Sequence, residues 1–598
     1  MPGEVAPPGP RPLPALPCPG APLFRLVLPG QHGACRFRHN FSGRRAIGEL
    51  LSAFAAYHYG MFSRRKFLQI AAASSGIAIT GTDLLNQAVA NASSTVRADG
   101  SRGIRHIVIL MMENRSFDHF LGWLPGADGR HDMTFVSSVD GNTYPNYPLA
   151  PDFQGCGYSD PDHSWEGWLV EYNYGKMNGF LQRPGEVANA GVIPAKANTF
   201  PVGYYTNFHH SGTRKALPDL PVIGALAEHY TTLDRYFCAI AAETYPNRFY
   251  QHAAQTDRDH NSFVASTLPT IWDQLSPIPN SSGIPTGGYY YQDAPFLALW
   301  ADPGIEIGAT FKYQAFMHPF SDANAATAAL SSGTSFVTAC QNGTLPNVCY
   351  IDPAFDNEAT GTSGDDHPQG DIRLGERFIA DAYHALADNG YLDDTVFIVT
   401  FDEWGGFYDH VPPPQVTDDT NPANVMHAGD SSTPTDGQLY PNYRQLGFRV
   451  PGIVVTNLAL PRRVAHEGPF EHCSSLALIE STFGLSPLTA RDRHARNLRD
   501  VLLPEPVPGR YAVQPSSIPT SSDVIGPAIS PPSESLVQVL EGTASFDPAD
   551  ICSADSVQSV SPEPVNYPPL PQSFGGNPGM NGTSGMDDLF RNYRGKGL

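Results

Sequence analysis

No Cys-x-x-Cys pair and no Cys/His spacing of the zinc-binding kind occurs among the eight cysteines of this 598-residue chain, which excludes a structural zinc module. Internal repeats are also absent, which excludes a solenoid or propeller. Basic residues are scarce: 37 Lys+Arg stand against 59 Asp+Glu, a formal net charge of −22. That balance speaks against nucleic acid as a partner, because phosphate backbones select positive surfaces. An anionic substrate has to be held locally, by a metal ion, a helix N-terminus or a few basic groups, against the overall field. Hydrophobic residues make up 41% and aromatics 11%, enough for a large core. Global disorder and collagen-like or coiled-coil fibres are thereby excluded. The length suits one large α/β domain with appendages, and 56 Gly with 56 Pro point to many loops or unstructured ends.

The two ends differ from the middle. Residues 1–60 begin Pro-rich and show no helical or strand period; they read as an upstream extension, with Met61 as the natural start. Residues 61–92 read as a twin-arginine export signal. Ser63-Arg64-Arg65-Lys66-Phe67-Leu68 precedes a weakly apolar run, and Ala88-Val89-Ala90 and Ala90-Asn91-Ala92 offer small-x-small cleavage sites. That run is too short and too rich in Ala, Ser and Gly to span a membrane. Residues 1–92 hold nine basic and three acidic residues, so the remainder carries a net charge of −28. It keeps Cys156, Cys238, Cys340, Cys349, Cys473 and Cys552. An oxidising compartment lets some of them pair; Cys340 and Cys349 would close a small loop, but spacing assigns no connectivity. From 504 to 598 the chain turns Pro/Ser-rich and reads as a tail, wrapped on the domain or unstructured.

Between 103 and 503, apolar strand-like runs alternate with helical ones. Ile104 to Met112, Asp393 to Phe401 and Arg449 to Asn457 read as buried strands. Arg377 to Gly390 and Ser474 to Gly484 have helical spacing and stop on Gly. This alternation predicts a parallel sheet covered on both faces, with the active site at the carboxyl ends of its strands.

Those ends carry the chemistry. Glu113-Asn114 follows the first run and Asp402-Glu403 the second. If the two strands are neighbours, four oxygen ligands converge, as a hard divalent cation prefers. As lone motifs, such pairs cap the following turn instead. Thr244 precedes Tyr245-Pro246-Asn247-Arg248, which reads as the first turn of a helix. Its hydroxyl is either an N-cap or, beside a metal, a nucleophile at a phosphate-binding helix end. His163, His367, His318 and His472 lie in loop-like contexts. Singly each is an ordinary loop histidine; together they can bond phosphoryl oxygens or protonate a leaving group.

HIVILMMENRSFDHFLG, GKMNGF, TYPNRFY, GTLPNVCYIDPAF, DDHP and FDEWGGFYDHVPPP occur in that order. Over roughly 103–503 they resemble the bacterial phosphoesterase family of non-haemolytic phospholipases C and the related acid phosphatase. The resemblance implies an alkaline-phosphatase-like three-layer α/β/α sandwich around a mostly parallel sheet. It implies one divalent metal ion (Ca, Mg, Mn or Zn) on Glu113, Asn114, Asp402 and Glu403, and Thr244 as nucleophile. It places His163 and His367 in the phosphate pocket and His318 against substrate. It implies an enzyme exported by the bacterial twin-arginine machinery to the periplasm or the medium. The expected reaction is hydrolysis of glycerophospholipids such as phosphatidylcholine through a phospho-threonine intermediate, with contact to a phospholipid surface. The alternatives are a broad acid phosphatase acting on phosphomonoesters and a binding protein that holds a phosphate ligand without turnover. Two departures stand out. Ala242-Glu243 replaces the family's usual Gly-Pro before the nucleophile, and Phe470-Glu471-His472-Cys473 replaces its Tyr-Asp-His-Thr. Where the longer phospholipases C carry β-domains, the Pro/Ser-rich stretch from 504 is expected instead.

Overall fold

The computed structural model describes residues 103–524 apart from 154–159, 183–194, 210, 263, 294, 301–310, 327–332, 356–362, 369 and 428–440. The expected extension (1–60), the export signal (61–92), Cys156, Cys552 and the tail beyond 524 therefore lie outside the described residues. Eight strands form the main sheet: β1 (His106–Met112), β2 (Thr231–Leu233), β3 (Gly287–Tyr291), β4 (Met317–Pro319), β5 (Val348–Asp352), β6 (Thr395–Phe401), β7 (Gly452–Val455) and β8 (Arg463–Ala465). Their spatial order is β8-β2-β7-β6-β1-β5-β3-β4. The helices used below are α1 (Phe117–Leu121), α2 (Trp165–Tyr172), α3 (Ile223–His229), α4 (Thr244–Ala253), α5 (Phe336–Asn342), α6 (Ile372–Ala387), α7 (His472–Phe483), α8 (Ala490–His494) and α9 (Ser521–Val524).

Every residue of β1 and of β6 is buried, as strands covered on both faces require. Helices lie on both sides. Tyr289 and Tyr290 are consecutive in β3 and so point to opposite faces. The Tyr289 ring packs 5.9 Å from His252 of α4, and Tyr290 packs 5.2 Å from Phe336 of α5. The fold is thus the expected α/β sandwich, with one difference. β7, expected as another parallel strand, runs antiparallel to both neighbours, β6 and β2. Among the described residues no α-helix separates β6 from β7, only a single 3-10 turn of helix at Pro422–Asn424. A chain that returns from the end of the sheet it has just left must run backwards.

α7 begins two residues before its expected start. Glu471 caps it by accepting from Cys473 N–H, and Ser474 completes the box. It stops at Gly484, whose left-handed backbone (φ 70°) is the expected glycine cap. α6 instead ends at Ala387, and its cap residue is Asp388, two residues short of Gly390. The packed body also continues past 503. Ile518 is buried, and His384 of α6 lies 3.2 Å from the Ile518 carbonyl. Cys238, Cys340, Cys349 and Cys473 are all buried free thiols, so Cys340 and Cys349 do not close a loop.

Candidate active site

β1 and β6 pair in register to their last residues, Met112 opposite Phe401. The residues that follow leave the sheet side by side. Asp402 N–H donates to Met112 O at 3.0 Å, Asn114 N–H to Asp402 Oδ1 at 3.1 Å, and Arg115 N–H to Glu403 O at 3.0 Å. Glu113, Asn114, Asp402 and Glu403 are all buried. Asn114 takes a left-handed conformation (φ 60°), and Gly405 turns the other strand (φ 64°). A Cβ on Gly405 would run into the Asn114 carbonyl, so the approach of the two strand ends requires glycine there. Asn114 Oδ1 and Nδ2 and Glu403 Oε1 are buried without a hydrogen-bond partner. Such atoms are costly unless something binds them. The all-oxygen donor set fits a hard divalent cation, which Glu113, Asn114, Asp402 and Glu403 would hold.

Two residues that were not expected from the sequence also sit here. Arg248 donates from Nε to Asp402 Oδ2 at 3.0 Å and from Nη1 to Asp352 Oδ1 at 3.0 Å, and its Nη2 lies 3.3 Å from Glu113 Oε1. Burial works to lower the guanidinium pKa, but Asp402, Asp352 and Glu113 hold it above its usual value. Asp352 ends β5; burial, opposed by Arg248, pushes its carboxyl up to about 6. Both carried a readable signal. Arg248 lies four residues after Thr244, on the same helix face. Asp352 is a third acid closing an apolar run at a strand end.

Thr244 is buried at the first position of α4, and Glu243, not Thr244, is the cap residue. The reason is visible in the backbone: Glu243 is extended (ψ −179°), whereas Thr244 is already helical. Tyr245 N–H is taken by Asn261 Oδ1 at 2.8 Å, and Pro246 has no N–H. This helix end therefore offers a phosphate less than was expected.

His163 precedes α2, whose cap is Ser164. Its Nδ1 lies 2.8 Å from Pro161 O. Burial lowers its pKa, but the charges of Glu403, Asp160 and Glu243 outweigh this and raise it to about 10. His367 is brought alongside by Arg115, which donates to the Asp366 and His367 carbonyls at 2.6 and 3.1 Å. Burial pushes His367 down to about 4, against the pull of Asp160. Asp160 lies between the two rings, 3.9 Å from His163 Nδ1 and 3.5 Å from His367 Nε2. His472 sits behind the site, its Nε2 2.7 Å from Asp402 O. His318 does not join the group. It lies in edge strand β4, three strands from β1, beside Tyr290 on the α5 face. At about 4.8 Å per strand that is roughly 14 Å away.

Asp118, Asp409 and His410 offer ligand atoms within 4.8 Å of one another, but a cation already occupies their midst. Arg449 donates to Asp409 Oδ1 at 2.6 Å and Asp118 Oδ1 at 3.1 Å, and His410 Nδ1 lies 2.5 Å from Asp118 Oδ2. These motif residues tie α1 to the segment after β6; they are a structural knot.

Residues 104–486 match the family profile described as "Phosphoesterase family". The chain belongs to the phosphoesterase family. As a phosphoesterase it is a phosphoric ester hydrolase. It is similar to non-specific phospholipase C3 of Arabidopsis thaliana, at 30% identity over 67% of this chain and 73% of that one. It is also similar to phospholipase C B of Mycobacterium tuberculosis, at 29% over 64% and 74%. Similar solved structures include a protein of the alkaline phosphatase superfamily from Vibrio parahaemolyticus (10% identity, 72% of this chain and 80% of that one, TM-score 0.25). A sulfatase from Pseudoalteromonas sp. is another (10%, 68% and 73%, TM-score 0.30).

Proposed function

We propose that this phosphoesterase is a metal-dependent phospholipase C that cleaves glycerophospholipids such as phosphatidylcholine through a phospho-threonine intermediate. One observation carries the reading. Thr244 and Arg248 share a face of α4, and Arg248 fastens that face to Glu113 and Asp402, beside the unpartnered Asn114 Oδ1 and Glu403 Oε1. The relatives named phospholipase C support the substrate class.

A divalent ion on Glu113, Asn114, Asp402 and Glu403 would polarise the phosphoryl group and lower the pKa of the Thr244 hydroxyl. Thr244 Oγ attacks phosphorus, and the bond to the diacylglycerol oxygen breaks; that oxygen leaves with a proton. His163, kept protonated by its acidic neighbours, bonds the phosphoryl oxygens as negative charge builds there. His367, kept neutral by burial, supplies a second ring nitrogen on the same side. Water then cleaves the Thr244–phosphate ester, releasing the phosphorylated head group. Export by the twin-arginine route, to the periplasm or the medium, belongs to this reading and would bring the enzyme to its lipid. Its support is the order of charge, apolar run and cleavage sites in residues 61–92.

The test is substitution at position 244. Thr244 is not the cap, so Thr244→Ala should leave the melting temperature near that of the wild type. It should lower kcat on phosphatidylcholine by orders of magnitude, and Thr244→Ser should keep measurable turnover. Full activity in Thr244→Ala would mean that water attacks directly. Faster wild-type turnover on phosphomonoesters than on lipid would favour the acid-phosphatase alternative. No turnover on any phosphate ester would leave the binding protein.

A further inference from the structure

The carboxylate immediately before Thr244 is used by no step above. Glu243 makes no side-chain bond to its own helix. Its Oε2 accepts from Asn261 N–H at 2.6 Å, while Asn261 Oδ1 accepts from Tyr245 N–H at 2.8 Å. This two-point clamp holds the half-buried carboxylate beside the nucleophile. Burial raises its pKa, and the nearby charges of His163 and His260 oppose that rise. His163 feels Glu243 in return. A phosphoryl group held between Thr244 and His163 would therefore feel the charge of Glu243, the residue next to Thr244 in the chain, in addition to those of Glu113, Asp402 and Glu403.

Charge then decides which esters are tolerated. A phosphodiester carries one negative charge. A phosphomonoester above its second pKa of about 6 carries close to two. At separations of roughly 6 Å and an effective dielectric near 20, one extra like charge weakens binding by on the order of tenfold to a hundredfold. We infer that Glu243 is a specificity-determining residue, which sets the Thr244 site against dianionic phosphomonoesters and leaves monoanionic diesters admitted. This rests on Thr244 being the nucleophile.

The experiment compares kcat/KM for p-nitrophenyl phosphate with that for bis(p-nitrophenyl) phosphate at pH 8, together with inhibition by inorganic phosphate. Neither substrate has a cationic head group; the second nitrophenyl group of the diester is the same for every variant, so a change in the ratio between variants reports phosphate charge. Glu243→Gln still offers Asn261 an acceptor. It should raise the monoester-to-diester ratio about tenfold or more, and phosphate should inhibit at roughly tenfold lower concentration. Glu243→Asp keeps the charge and should hold the ratio near that of the wild type. A ratio and a phosphate constant that move less than about twofold in Glu243→Gln overturn the inference. So does an equal rise in Glu243→Asp, which would assign the effect to the clamp. Thr244→Ala separates the two claims. If it is inactive on both substrates, the nucleophile stands and the ratio alone decides; if it is active, the mechanism fails first.

Discussion

Arg248 meets three carboxylates at a depth that water does not reach. Removing one partner from such a cluster leaves uncompensated buried charge, which typically costs about 3–5 kcal/mol. Arg248→Gln should therefore lower unfolding free energy by about that amount at pH 7 in a denaturant titration. A loss below about 1 kcal/mol would show that Glu113, Asp352 and Asp402 are content without it. At this scale the sequence was legible wherever chemistry followed an apolar run directly, as with Glu113, Asn114, Asp402 and Glu403. His163 and His367 came from the resemblance, and the fold brings both to Asp160. Arg248 was missed because a basic residue in a metal site runs against charge logic until three acids are seen around it. His318 misled for the opposite reason: a sequence match fixes order along the chain, not lateral distance across a sheet. The Asp118, Asp409 and Arg449 knot was invisible because its members are 40 to 331 residues apart.

Among elements, the β1–β6 pair does most to build the site, because a register shift of one residue would carry Glu113 away from Asp402. Its tightest point is Gly405, where the left-handed backbone and the approach to the Asn114 carbonyl both exclude a side chain. Gly405→Ala should displace Asn114, abolish metal-dependent turnover and lower the melting temperature by several degrees. Wild-type activity in that variant would mean that the strand ends can separate without harm. Strand and helix identities were readable because burial on both faces writes continuous apolar runs. The direction of β7 was not, because an apolar run has no polarity of its own; the connection decides it. The extended backbone of Glu243 that makes it, and not Thr244, the cap of α4 is accompanied by bonds to a distant partner, Asn261, that no local pattern announces.

For the whole molecule, the expected export route has a direct test. Arg64→Lys with Arg65→Lys should retain the precursor in the cytoplasm, read by fractionation, and unimpaired export would remove that reading. The sheet order bears on how the protein is made. β1 is the first strand of the body, yet it lies in the middle of the sheet, and its two neighbours are β5 and β6. At roughly 5–20 residues per second, the ribosome needs on the order of 15–60 s to pass from β1 to the end of β6. For most of that interval, until Val348–Asp352 is made, the seven apolar-rich residues His106–Met112 have neither lateral partner, and until Thr395–Phe401 follows they lack one. A nascent chain in that state exposes an unpaired strand edge, which is where aggregation starts. Synthesis halted before residue 348 therefore yields a polypeptide whose first strand has neither neighbour, and such a fragment should collect in the insoluble fraction while the full chain does not.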